Sequence, residues 1–199
     1  MRCELITGHP DFRALSSISG IAVDLRYAGV NNFVGRDLYG TLNCAWLHRE
    51  AAVALERSVA WLAAEHPGCT LVVLDALRPH RVQIELWDFL AGTELRQYLA
   101  DPVRGSIHSF GMAVDVSLCD RNGVELDMGT AFDALDIASH PQHEAEHLAQ
   151  GVLTSAHIHN RQILREAMGF SGFQGIASEW WHFDYGDRDR VRQSFVRVE

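Results

Sequence analysis

The chain has 199 residues, the size of one domain, and is long enough to bury a core without disulfides. It is 47% apolar and 22% charged, with a formal net charge of −9 and no block rich in Lys or Arg, so nucleic acid and anionic membrane surfaces are poor partners. No stretch approaches the length needed to cross a bilayer. The start, "MRCELITGHPDFRAL", has no basic end followed by an apolar run, which predicts no signal peptide. Cys3, Cys44, Cys69 and Cys119 stand singly, without a CxxC pair, and predict reduced, partly buried thiols. Together these features predict the cytoplasm.

In chain order, Asn43 to His66 predicts a helix. Leu47, Ala51, Leu55 and Leu62 fall on one face at helical spacing, Asn43 is the candidate cap, and "HPG" stops it. "TLVVLDA", Thr70 to Ala76, predicts a buried strand. Pro79 then opens a second helix that runs to about Leu90. "MAVDVSL", Met112 to Leu118, predicts a strand entered through Gly111, and "DRNG" a turn into a short returning strand. His159 to Met168 predicts a helix ended by Gly169, and Trp180 to Tyr185 a late aromatic strand. Helices and strands mix without regular βαβ alternation. The predicted class is α+β in one domain, with a mostly antiparallel central sheet flanked by helices.

Eleven histidines are many for this length, and most are read as bystanders. His140, His143, His147, His157 and His159 crowd one polar region that nothing completes as a site. His9, His48, His66 and His80 lie in polar or loop contexts. Two histidines differ. His108 precedes Asp115 by seven residues, a spacing that puts the two on opposite faces of a straight strand. Gly111 permits a bend that brings them together. Asp115 stands among Ala113, Val114 and Val116, where a carboxylate is costly unless paired or bound to metal. His182 lies between Trp181 and Phe183 in the same predicament. Two imidazoles and one carboxylate make a zinc ligand set with an open fourth position. The alternative is a satisfied core histidine with a buried ion pair. Glu179, three residues before His182 and beside two tryptophans, is the candidate general base, its basicity raised by the apolar surroundings. Arg78, at the end of the strand ending at Ala76, either reaches into a cleft to hold an oxyanion or bridges to Asp75 or Asp88.

Five motifs in order, "DLRYAGVNNFVG", "DALRP", "GSIHSFGMAVDVSL", "LDMGTAFD" and "SEWWHF", closely resemble those of the VanX-type D-alanyl-D-alanine dipeptidases. The resemblance spans roughly Leu15 to Tyr185. It implies a fold of the Hedgehog/DD-peptidase group and one Zn²⁺ held by His108, Asp115 and His182. It also implies Glu179 as catalytic base, Arg78 at the tetrahedral oxyanion, and Tyr27, Ser106 and Asp133 lining a dipeptide site. Asp133 suits the substrate ammonium and the Ser106 hydroxyl its carboxylate end.

The implied reaction is hydrolysis of D-Ala-D-Ala to two D-alanines in a small closed cleft. One rival is a D,D- or L,D-carboxypeptidase acting on peptidoglycan stem peptides. Another is a non-catalytic zinc-dependent binding domain, against which Glu179 and Arg78 argue. Two departures from the family pattern, Phe110 where many relatives carry Arg and a short connection before Gly105, are expected near the site entrance and bear on substrate preference.

Overall fold

The computed structural model describes all of residues 1–199. A five-stranded sheet carries the fold. Its strands are β2 (Ile21–Val23), β4 (Thr70–Asp75), β5 (Ala113–Cys119), β7 (His182–Tyr185) and β6 (Phe173–Gly175), in that spatial order. Only the β2–β4 pair is parallel, and the other three pairs are antiparallel. The α+β class with a mostly antiparallel sheet is therefore as the sequence predicts. A separate two-stranded ribbon joins β1 (Phe12–Ala14) to β3 (Trp46–His48).

Helices α1 (Arg49–Glu65) and α4 (Ser155–Phe170) pack against each other and against the sheet. Ala51, Leu55 and Leu62 of α1 meet Ile163, Leu164 and Ala167 of α4 and Val73, Val114 and Val116 of the sheet in one apolar cluster. A second cluster joins α2 (His80–Phe89) to both ends of the chain through Leu77, Val82, Leu86, Ile6 and Val198. Two shorter helices, α3 (Glu144–Ala149) and α5 (Arg188–Ser194), complete the set.

The boundaries differ from expectation for identifiable reasons. The first helix starts at Arg49, not near Asn43, and its cap is the His48 imidazole, whose Nδ1 accepts from the Glu50 amide. Residues 46–48 share the helical spacing but form β3, because β1 offers them a backbone partner. The fourth helix starts at Ser155 under a capping box made by Thr154 and His157, and runs through Gly169 to Phe170. The strand expected after "DRNG" shrinks to a single antiparallel bridge, Cys119 to Glu125. The four cysteines are unpaired. No helix is long and apolar enough to cross a membrane.

Candidate metal centre and active-site cleft

Strand β5 is buried along its whole length, and Asp115 sits in it 2% exposed. Register places Asp115 opposite Asp75 of β4 on one side and opposite His182 of β7 on the other. A shift in the β4 pairing between Val73 and Asp75 makes the first of these matches. His108 arrives from a one-turn 3-10 helix, Ile107–Phe110. Gly111, at φ 66, then reverses the chain into β5, and a Cβ there would lie 2.6 Å from the backbone nitrogen of His48. The bend that the odd spacing demands thus exists, and His108 Nε2 stands 3.3 Å from Asp115 Oδ1. His182 Nδ1 is 3.0 Å from that same oxygen and 3.1 Å from His108 Nε2.

The outer hydrogen bonds fix the tautomers. The Ala76 carbonyl can only accept, so its 2.8 Å contact places a proton on Nδ1 of His108 and leaves Nε2 with a lone pair. The Asp184 carboxylate, 2.9 Å from Nε2 of His182, likewise leaves Nδ1 to face inward. Two nitrogens and one carboxylate oxygen therefore converge on one point, spaced like neighbouring vertices of a tetrahedral ligand set. The donors fit a first-row divalent ion. These three residues form the one group whose donor atoms are close enough to share a metal. Burial opposes charge on both His182 and Asp115. Even so, Asp184 and Asp115 hold the His182 imidazole well above its ordinary value, and the two histidines hold the Asp115 carboxyl well below its own. In the apo protein a proton competes with the cation for this point.

A cleft of about 400 Å³ opens over these donors, lined also by Glu179, Arg78, Ser106, Tyr27 and Asp133. All eight residues singled out in the sequence are therefore brought to one cavity. Glu179, beside the buried Trp180 and Trp181, makes no hydrogen bond to the metal-binding group; burial and the nearby Asp115 and Asp133 push its carboxyl up to about 8. Asp133 is driven to about 7, mainly by burial. It occupies the left-handed region at φ 63, a conformation that aspartate tolerates better than most residues. The Tyr27 hydroxyl donates to its Oδ1 at 3.0 Å, while Oδ2 is buried without a partner.

Arg78 lines the cleft and also bridges to Asp75. Its Nε donates to Asp75 Oδ2 at 2.9 Å, its Nη2 reaches Asp115 Oδ2 at 3.2 Å, and its guanidinium lies 4.8 Å from the Tyr27 ring centroid. Asp88 pairs with Arg96 instead. Ser106 is buried at the cleft wall. Phe110 is not at the entrance: it is 4% exposed in the main core, its ring behind Gly105. The short connection, by contrast, does reach the site. Gln97 to Asp101 form a wall of the cleft, held through a Gln83 side-chain bond to the Ala100 carbonyl. The cleft is not fully closed, because Arg104, Ile176 and Arg188 line both it and an open groove of about 790 Å³ alongside. The five histidines from His140 to His159 do not line it. Sequence reasoning named Asp75 as a partner of Arg78 but missed Gln83, which links Arg78 to the Ala100 carbonyl, and Asp184, which lies two residues after His182 on the same face of β7.

A converging pair of imidazoles and a carboxylate, with an uncommitted glutamate in the same cavity, is the equipment of a metallopeptidase. The comparisons with known proteins give the family. The Peptidase M15 profile, described as D-ala-D-ala dipeptidase, matches residues 11–199, and the chain belongs to that metallopeptidase family. It is 37% identical over 164 residues to the D-alanyl-D-alanine dipeptidase of Escherichia coli strain K12, covering 82% of this chain and 78% of that one. It is 30% identical over 185 residues to the protein of the same name from Enterococcus faecalis, covering 83% and 86%. Among solved structures it resembles the LdcB LD-carboxypeptidase, with a TM-score of 0.50 and 17% identity over 96% of this chain and 80% of the other. That likeness concerns the fold.

Proposed function

We propose that this protein hydrolyses D-alanyl-D-alanine to two D-alanines in the cytoplasm, with one zinc ion held by His108, Asp115 and His182. The observation that carries the proposal is the division of labour in the cleft. Two imidazoles have their protons parked outward and face one point with the Asp115 carboxylate, while the one neighbouring glutamate is left free and made more basic by burial. Relatives named D-alanyl-D-alanine dipeptidase support the choice of substrate. When bound, zinc supplies Lewis acidity toward the peptide carbonyl and acidifies water. Glu179 takes the proton of the attacking water on its carboxylate and hands it to the departing amine nitrogen. Arg78, fixed by Asp75, offers N–H donors to the developing oxyanion. Asp133, with an oxygen unpaired, receives the substrate ammonium beside Tyr27, and Ser106 serves the carboxylate end.

The test is zinc-reconstituted protein assayed against D,D-, L,D- and L,L-dipeptides, N-acetyl-D-Ala-D-Ala and a tripeptide. Fast cleavage of D-Ala-D-Ala and slow cleavage of the acetylated form, by roughly one to two powers of ten for one lost charge-assisted bond, is expected. The groove that adjoins the cleft favours a second reading, a carboxypeptidase acting on longer stem peptides. Preference for the tripeptide would put that reading first.

A further inference from the structure

Three arginines, Arg104, Arg188 and Arg192, line the cleft apart from Arg78. The charges bearing most on Asp133 and Glu179 include Arg78 and Asp115, whereas those bearing on Arg192 are Arg104, Asp189, Arg188 and Asp184. Arg192 thus sits in a second charge cluster of the cavity, three guanidiniums against the two carboxylates Asp184 and Asp189. Arg188 is committed to Asp184, its Nε donating to Oδ2 at 2.6 Å. Arg192 is not. Its Nε donates to the Gly105 carbonyl at 3.2 Å, which seats the guanidinium beside Ser106. Its Nη1 is buried with no hydrogen-bond partner, and the carboxylate it approaches, Asp189, stays 3.5 Å away. Arg104 leans on the same Asp189 at 3.6 Å. One exposed carboxylate is thus shared loosely by two guanidiniums, and a buried N–H without an acceptor is costly. Arg192 Nη1 is thereby left with donor capacity for a second carboxylate.

We propose that Arg192, with Arg104 beside it, binds the C-terminal carboxylate of the peptide substrate next to Ser106. The inference rests on the peptidase reading and adds its charge selector. A zwitterionic dipeptide laid along the cleft then meets Asp133 with its ammonium and the arginine corner with its carboxylate. Asp189 is the internal competitor for that corner and is displaced from it by substrate.

The experiment compares kcat and KM for D-Ala-D-Ala and its C-terminal amide in wild type, Arg192→Gln, Arg192→Lys, Arg104→Gln and Asp189→Asn. Wild type is expected to prefer the acid by about tenfold or more in kcat/KM. Arg192→Gln should raise KM for the acid by roughly 10- to 100-fold with kcat little changed, collapsing the acid-to-amide ratio, and Arg192→Lys should recover part of it. Arg104→Gln should act in the same direction, and Asp189→Asn in the opposite one, lowering KM. Both of these side chains are largely exposed, so their variants report even if Arg192→Gln does not fold. Equal use of acid and amide by wild type, or an unchanged ratio in Arg192→Gln while both substrates decline together, overturns the proposal. If wild type cleaves another peptide but not D-Ala-D-Ala, the substrate reading fails separately, and the acid–amide pair of the cleaved peptide decides this one. If it cleaves none, calorimetric binding of the D-Ala-D-Ala acid and amide decides it.

Discussion

Glu179 and Asp133 are carboxyls kept where ionisation is disfavoured, and in the proposed mechanism that cost raises the basicity of Glu179. A glutamate at its ordinary value is a weak base at neutral pH; burial raises Glu179 to about 8 in the metal-free protein, and a bound cation would draw it back toward neutrality, where the ionised carboxylate is present to take a proton. The variant Glu179→Ala should keep its metal and lose turnover by about 10²–10⁴-fold. Metal analysis and kinetics on one sample check this, and joint loss of metal and activity would make Glu179 a ligand. The same shift has a stability consequence in the metal-free protein. The unfolded chain releases this proton near 4.5, while the folded chain holds it to about 8. Between those values the unfolded state binds fewer protons, so rising pH favours unfolding. Removing the group relieves that loss. The Tm of metal-free Glu179→Gln relative to wild type should therefore climb from about pH 5 to about pH 8. A difference that stays flat across this range would mean that Glu179 titrates as a solvated carboxyl.

Elements, not spacings, assemble the site. Asp75, Asp115 and His182 form a row across β4, β5 and β7, and a one-residue slip in either pairing would turn the carboxylate or the imidazole away. Gly111 holds the third donor in place. In Gly111→Ala the new methyl would meet the His48 backbone nitrogen at 2.6 Å, and an L residue would carry the φ of 66. The turn must shift, and His108 with it. We expect a loss of more than about 1 kcal/mol in stability and weaker zinc binding, read from denaturant midpoints and metal titration. Unchanged zinc affinity in a destabilised variant would separate the turn from the ligand geometry. This dependence on register also sets what the sequence could reveal. The cores of the longer helices and of strands β4 and β5 were legible because their apolar periods are long and strong. Asp115 and His182 were legible because ionisable residues among apolar ones need a partner, and His108 because it precedes Asp115 across a glycine that permits a bend. Strand β3 was hidden by a helix-like spacing that ran on into it. The start of the fourth helix was hidden because His157, not Glu or Gln, completes its capping box. Asp184 did carry a local signal, an aspartate two residues after His182 on the same strand face, whereas Arg192 carried none, since it gains its meaning from Gly105 on another segment.

For the whole molecule, the three candidate metal donors tie together pieces that the chain keeps far apart. His108 and Asp115 flank the entry to the central strand, and His182 comes from near the C-terminal end of the fold. The C-terminal segment is itself bound in, with the Glu199 amide on the Met1 carbonyl at 2.7 Å and the Val198 amide on the Ser109 carbonyl at 2.8 Å. Val198 thus anchors the turn that presents His108, and the second apolar cluster braces Arg78 through Leu77 and Tyr27. An ion that needs all three donors at once binds the folded state and has no comparable site in the unfolded chain. Its binding must then appear as stability. At a free zinc concentration of about 100 times the dissociation constant, the linkage contributes about 2.7 kcal/mol. For a chain of this size that is a rise in Tm of roughly 5–10 °C. A zinc titration followed by thermal unfolding should show that rise in wild type and in Glu179→Ala, and a chelator should reverse it. His182→Ala leaves two donors and should abolish the rise. An undiminished zinc-dependent rise in His182→Ala would remove His182 from the ligand set.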